Sequence, residues 1–444
     1  MGFPRPKYCL QPAFAALSAV LLLAVPSYAG KQLSGAIPGE IAAADPSGAA
    51  HFNCELRPFD LSKGLYCYGP DAIRAAYGVD ALLSNGFNGA GQTIVIIDAF
   101  GSPFALADLQ RFDAVFGLPD PSFTQIYMPG TPPFDPNNPN IVNWTAEIAL
   151  DTQWSHAIAP KAAIVLVAAK SNDDVDLIAA LNYALDNHLG NVVSMSFGES
   201  EVFLANPDGL DIVQAWTDAF TKAKKQRVTL FVSSADDGVD TGLIGTPNVS
   251  FPASSPLVTG VGGTNLQFGT ATNADPNGTY QAEEVWNDPF GAGGGGMSIL
   301  FAEPDFQSNN VPRSITKTLH HYRGVPDVAY NAGVVGGVIA FWAYPAAGDA
   351  YIFGGTSAGA PQWAGIIADL NQAKGRPLGY INKQLYSLGG CGGLAKLFHD
   401  IVTGDNGIPG VPGYPALPGY DLSTGWGTPN FGKLGMVLND PDDN

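Results

Sequence analysis

Two short stretches carry side chains arranged for chemistry. In Gly355-Thr356-Ser357-Ala358-Gly359 a serine sits on a small-residue turn that runs into an apolar stretch of helical spacing, with Pro361 in the first turn, where proline is tolerated. A hydroxyl becomes a useful nucleophile when a neighbouring base takes its proton, and histidine is the usual base. The segment NWTAEIALDTQWSHAIAP (143 to 160) supplies a histidine, but it also supplies Glu147 and Asp151. Its spacing is helical, so residues four apart share a face while His156, nine beyond Glu147, turns to the opposite one. The carboxylates and the histidine cannot both reach one serine. Two stacked carboxylates without a cation repel by a few tenths of a kcal/mol, in a segment otherwise as apolar as Ile148, Ala149 and Leu150. A catalytic site is one arrangement that compensates such repulsion.

The elements that must position these residues read as an α/β fold. QTIVIIDAFG (92 to 101), AAIVLVAA (162 to 169), NVVSMSFG (191 to 198) and VTLFVSSADDG (228 to 238) are apolar, partly β-branched runs. Helical patterns lie between them, among them DLIAALNYALDN (176 to 187) and DIVQAWTDAFTKAKKQ (211 to 226). The alternation implies a doubly wound, mostly parallel sheet with helices on both faces. In such sheets active residues gather at the carboxyl ends of strands, where Asp98, Ser196 and Asp236 fall. The glycine run GAGGGGMS (291 to 298) is expected to be an irregular loop within the domain.

Composition sets the outer limits. Of 444 residues, 46% are hydrophobic and 14% charged, and Gly 54 with Pro 35 indicates a compact core with long connections. A net charge of -19 argues against nucleic acid, which requires Lys and Arg for its phosphates. Arg5 and Lys7, then AFAALSAVLLLAV, then Ser27-Tyr28-Ala29, form a signal-peptide pattern over residues 1–29, so the chain is expected to be secreted and without a membrane anchor. Residues 30–68 read as a short N-terminal extension and 69–444 as the main domain. An exported chain is expected to form a Cys54 to Cys67 disulfide, leaving Cys391 alone.

Three mechanisms compete. A Gly-x-Ser-x-Gly elbow followed by Asp369 and His399 has the order of an α/β-hydrolase, but too little chain follows His399. A subtilisin-like triad would use Asp98, His156 and Ser357, yet no His-Gly-Thr-His segment is present. The third is carried by SSADDG (233 to 238), at the place where a subtilisin has the asparagine of its oxyanion hole. An aspartate stabilises an oxyanion only as the neutral acid, which implies acid conditions. A glutamate base near its ordinary value of about 4.3 operates in the same range.

With these residues the chain resembles the sedolisins, serine-carboxyl peptidases of subtilisin-like fold that carry a glutamate in place of the histidine. GQTIVIIDAFGSP, AEIALDTQWSHAIAPKA, SSADDG, FPASSPLVTGVGGTNL, GGGGMSILF, YRGVPDVAYNA, GGTSAGAPQWAG, DIVTGDNG and GYDLSTGWGTPN occur in family order from about Tyr68 to near the end. The resemblance implies Ser357 as nucleophile, Glu147 as base, Asp151 as the residue that orients it, and Asp236 in the oxyanion hole. It also implies one structural calcium in a C-terminal loop region, on the side chains of Asp400 and Asp421 and the carbonyls of Ile401, Leu417 and Gly419. Acid would release that ion by protonating the aspartates. The implied activity is that of an acid-acting endopeptidase on proteins or peptides, monomeric, with tripeptidyl peptidase action left open. Phe197 stands where the family often has tryptophan, Asp98 where some members have glutamate, and little chain is available for the family's large propeptide. A histidine-dependent protease, and a calcium-binding protein of this fold without turnover, remain as alternatives.

Overall fold

The computed structural model describes residues 37–38, 52–56, 65–269, 279–344, 349–390 and 397–431. The expected signal peptide and Cys391 lie outside them. The elements that build the site are, in chain order, β1 (Thr93–Ala99), α1 (Ala105–Phe116), β2 (Phe123–Tyr127), α2 (Pro139–Ile158), β3 (Ala163–Ala169), α3 (Asp174–Asp186) and β4 (Val192–Met195). They continue with α4 (Pro207–Lys225), β5 (Thr229–Ser233), β6 (Thr259–Gly269), β7 (Thr279–Val285), β8 (Val328–Asn331) and α5 (Gly359–Lys374).

The strands form one sheet in the order β7-β6-β5-β4-β1-β3-β2, with β8 also paired to β6. All pairs are parallel except β6 with β7. The expected α/β, subtilisin-like doubly wound fold is therefore present, with β1 in the middle where the winding reverses. That reversal opens a crevice at the carboxyl ends of β1 and its neighbours.

Both sheet faces are buried because successive side chains of a strand point to opposite sides. Ile94, Ile96, Ile164, Leu166, Val192 and Phe231 enter one core with α1, α2 and α5. Their neighbours Val95, Ile97, Val167, Val193, Leu230 and Val232 enter a second core with α3 and α4. A continuous apolar run was the readable sign of this two-sided burial.

The helix that matters most is α2. Asn138 caps it by accepting the N–H groups of Asn140 and Ile141, and Pro139 opens the first turn. From Trp144 onward every residue of α2 is buried, so its carboxylates are held in the interior. It packs on α5 through Gly365, where a Cβ would lie 2.8 Å from the Ile158 Cβ. That close approach sets the serine turn against the Glu147 face of α2.

The glycine run is more regular than expected, because Gly291–Ala292 and Gly296–Ala302 are strands that leave only 293 to 295 irregular. A second sheet joins residues 37–38, 349–353, 337–342 and 67–68, and the Cys54–Cys67 disulfide is formed. The described part of the 30–68 segment is thus built into the body, with Phe52, Cys54 and Tyr66 in the first core.

Candidate active site

Ser357 lies in a 3-10 turn, Thr356–Ala358, that leads into α5. The preceding Gly355 has φ of +105°, and a Cβ there would sit 2.7 Å from Asp236 Oδ2. Glycine is required at this position because of both the conformation and the close approach. Asp236, three residues beyond β5, accepts the Thr356 N–H at 2.8 Å and the Thr356 hydroxyl at 2.9 Å on Oδ1. The Thr356 hydroxyl also accepts the Ala235 N–H at 3.1 Å. The loop after β5 and the serine turn are thereby fixed to each other.

From the opposite side the Ser357 hydroxyl faces Glu147 and favours its ionised form, short of a formed hydrogen bond. Behind Glu147 lie Asp151 on the same face of α2 and Asp98 from β1, both fully buried. Neither oxygen of Asp98 or Asp151 has a hydrogen-bond partner among the described residues. Ser196, just after β4, faces Asp151 and favours its ionised form, although the two do not meet strict hydrogen-bond geometry. Phe197 closes the wall by packing on Trp144 at 6.4 Å and Trp216 at 5.9 Å between ring centres.

Three buried carboxyls that feel one another's charge cannot all ionise at ordinary pH. Burial pushes Asp98 up to about 8. Burial and then the Asp98 charge hold Glu147 well above its ordinary value, an effect opposed by the facing Ser357 hydroxyl and reinforced by Asp236. Asp151 is raised by burial, then by Asp98 and Glu147. Burial and like charge raise Glu147 above the solvated value of about 4.3, so in acid it acts as a base in the share of molecules whose cluster charge sits on it. The cluster titrates as a unit that carries fewer charges than carboxyls. The facing Ser357 hydroxyl favours the charge on Glu147.

His156 is on the far side of α2, as its spacing required. Its Nε2 lies 2.8 Å from the Pro119 carbonyl and 3.1 Å from Asp113, and the ring is fully buried. His399 stacks on Tyr280. Neither geometry serves a base at Ser357.

In the C-terminal loops Asp400 accepts the Gly419 N–H on both oxygens, at 3.1 and 3.2 Å, and Asp421 accepts the Leu417 N–H at 3.0 Å. Both aspartates therefore converge on residues 417 to 419. No group of three or more His, Cys, Asp or Glu side chains suited to a metal occurs among the described residues. A cation here would draw the rest of its oxygens from backbone carbonyls, which suits calcium. Burial pushes Asp421 up to about 6, and a bound cation would oppose that shift. The two carboxylates are oxygen donors of the kind calcium takes, and in this structure they accept loop N–H groups.

Sequence reasoning missed two things at this site. Thr356 was read only as part of the turn, although a hydroxyl beside the nucleophile was the available signal. Asp98 was recognised at a strand end, but nothing in the sequence set it against Glu147.

Comparison with known proteins gives the family. Residues 138–385, more than half of the chain, match the subtilase family. Kumamolisin from Bacillus sp. (strain MN-32) is 35% identical over 372 residues, covering 82% of this chain and 62% of the relative. Sedolisin from Pseudomonas sp. (strain 101) is 32% identical over 365 residues, covering 79% of this chain and 58% of the relative. The structure of Pseudomonas sedolisin, a serine-carboxyl proteinase complexed with two molecules of pseudo-iodotyrostatin, superposes with a TM-score of 0.71 at 29% identity, covering 84% of this chain and 98% of that one. The chain belongs to the subtilase family, in its sedolisin branch. It spans roughly three-fifths of the length of these two curated relatives.

Proposed function

We propose that the chain is a secreted, monomeric serine-carboxyl endopeptidase that hydrolyses peptide bonds in acid. Ser357 set facing Glu147, inside a buried carboxyl cluster and beside Asp236 on the same turn, carries this reading. Ser357 Oγ attacks the peptide carbonyl while its proton passes to Glu147. Asp151 orients Glu147. Asp236, as the neutral acid, and the Ser357 N–H donate hydrogen bonds to the tetrahedral oxyanion. Glu147 then returns the proton to the leaving amine, and water completes the hydrolysis of the acyl-enzyme by the same path reversed. No helix of the described residues is long and apolar enough to cross a membrane. The test is cleavage of an acid-denatured protein from pH 2 to 9. Cleavage confined to the acid side is expected, and a maximum near neutral pH would overturn the reading.

Calcium is proposed as a structural ion on Asp400 and Asp421 with the carbonyls of Ile401, Leu417 and Gly419. At a hundredfold excess over Kd a bound ion adds about 2.7 kcal/mol of stability. A chelator at pH 6 is expected to lower Tm by a few degrees, and Asp421→Asn to remove that response. An unchanged Tm in the wild-type protein would refute calcium at this loop.

A further inference from the structure

We propose that Asn406 is a positioning residue that holds Asp236 in place through the glycine run, an inference that rests on the oxyanion role proposed for Asp236. The loop after β5 is joined to the glycine run by its backbone on both sides of Asp236. The Ala292 N–H donates to the Asp236 carbonyl at 3.0 Å, the Gly238 N–H to the Ala292 carbonyl at 2.8 Å, and the Gly294 N–H to the Ala235 carbonyl at 2.7 Å. The Ser234 hydroxyl adds a bond to the Gly294 carbonyl at 2.6 Å. Contact this close demands glycine, since a Cβ at Gly294 would lie 2.0 Å from the Ser234 carbonyl oxygen. A segment without side chains cannot anchor itself, and glycine loses more backbone freedom on ordering than any other residue. The anchor has to come from elsewhere in the chain.

Asn406 supplies it from more than a hundred residues away. Its side chain is fully buried, and Nδ2 donates to the Gly293 carbonyl at 3.2 Å and the Gly295 carbonyl at 3.1 Å, using both amide hydrogens. Its Oδ1 accepts the Tyr414 N–H at 2.9 Å, and its main-chain carbonyl accepts the Val239 N–H at 2.9 Å. One residue thus grips the glycine run and the segment three residues past Asp236 together. Only a primary amide has two donors and an acceptor in one plane of this size, and an aspartate would set an oxygen against two carbonyls. From outside, the exposed Asn287 donates to the carbonyls of Asp405 at 3.1 Å and Gly407 at 2.7 Å, which steadies Asn406 in turn.

The experiment is a double-mutant cycle on the full chain, with kcat and KM for a peptide substrate at acid pH. Asp236→Ala is expected to lower kcat by about 10²- to 10³-fold, the usual loss of an oxyanion donor. Asn406→Ala is expected to lower kcat by roughly tenfold or more, with KM within about twofold, because a displaced donor is felt in the transition state. The double variant is expected to be no slower than Asp236→Ala alone. Full multiplication of the two losses would mean that Asn406 acts through general stability, and an unchanged kcat in Asn406→Ala would mean that it does not act on the site at all. Either result overturns the inference while the oxyanion reading stands. A normal kcat in Asp236→Ala overturns the oxyanion reading and the inference with it. If Asn406→Ala fails to fold, Asn287→Ala at the surface provides the same cycle, with a loss of about two- to fivefold that disappears in the Asp236→Ala background. Its persistence there, or its absence in the wild-type background, would overturn the inference.

Discussion

Glu147→Gln is expected to lower kcat for peptide cleavage by about 10⁴-fold at acid pH, with KM nearly unchanged. The amide keeps the size of the side chain, and the turn stays in place through Asp236 and Thr356, but the amide cannot take the proton of the attacking hydroxyl. Loss of a general base costs on the order of 10²- to 10⁴-fold, and the upper end applies because the same group must also protonate the leaving amine. Ser357→Ala should be at least as damaging, and the double variant no worse than either one, since residues that act as a unit are not additive. Asp151→Asn, which leaves the base in place, should cost less. A Glu147→Gln protein that retains more than about a tenth of wild-type kcat would exclude glutamate as the base. His156→Ala offers no substitute test, because the ring is bound into the interior with Asp113 and Pro119 and its removal would act on folding.

The second large effect concerns stability. With chelator present, so that loss of calcium in acid does not enter, the protein is expected to be most stable in acid and to lose stability steadily between about pH 4 and pH 8. The sign follows from proton binding: a carboxyl raised in the folded state holds its proton where the unfolded chain has released it. Raising pH through that interval therefore favours unfolding. Asp98 rises from 3.8 to about 8 and Asp108 to about 7, each chiefly through burial. Glu199 rises to about 8 through burial and then Asp174. Glu147 and Asp151 move in the same direction. For Asp98 alone the change corresponds to on the order of 5 kcal/mol, comparable with the whole stability of many proteins. Asp98→Asn is accordingly expected to raise Tm at pH 8 and to change it little at pH 4. A Tm that is flat or rises from pH 4 to pH 8 would contradict the carboxyl cluster as described. The stability sacrificed at neutral pH is the counterpart of keeping catalytic carboxyls in the interior, a trade common at active sites.

The residues that could be read from the sequence are those whose geometry is local. A helix imposes its own period, so Glu147 and Asp151 on one face and His156 on the other followed from spacing. The structure places His156 against Asp113 and Pro119 accordingly. The strands β1, β3, β4 and β5 were visible as unbroken apolar runs, because parallel strands buried on both sides have no polar face. The turn before α5 was legible for a similar reason, since Gly355 marks a backbone conformation that few other residues adopt.

What lay beyond the sequence depends on elements that meet from distant parts of the chain. Asp98, near the end of its strand, lies 49 residues before Glu147 in the chain, and no local pattern sets the two together. The raised values of the cluster were equally hidden, because desolvation is a property of the finished core. The regularity of 296 to 302 was missed because glycine content suggests a loop, whereas the pairing with residues 322 to 325 holds it as a strand. Asn406 reads as a loop asparagine until the glycine run is seen beneath it. The sequence by itself determined which groups are present and how neighbours along one helix, strand or turn are oriented, since covalent geometry and helical period act within a few residues. Tertiary structure alone decided which of those groups meet and how they titrate, since both depend on packing that excludes water.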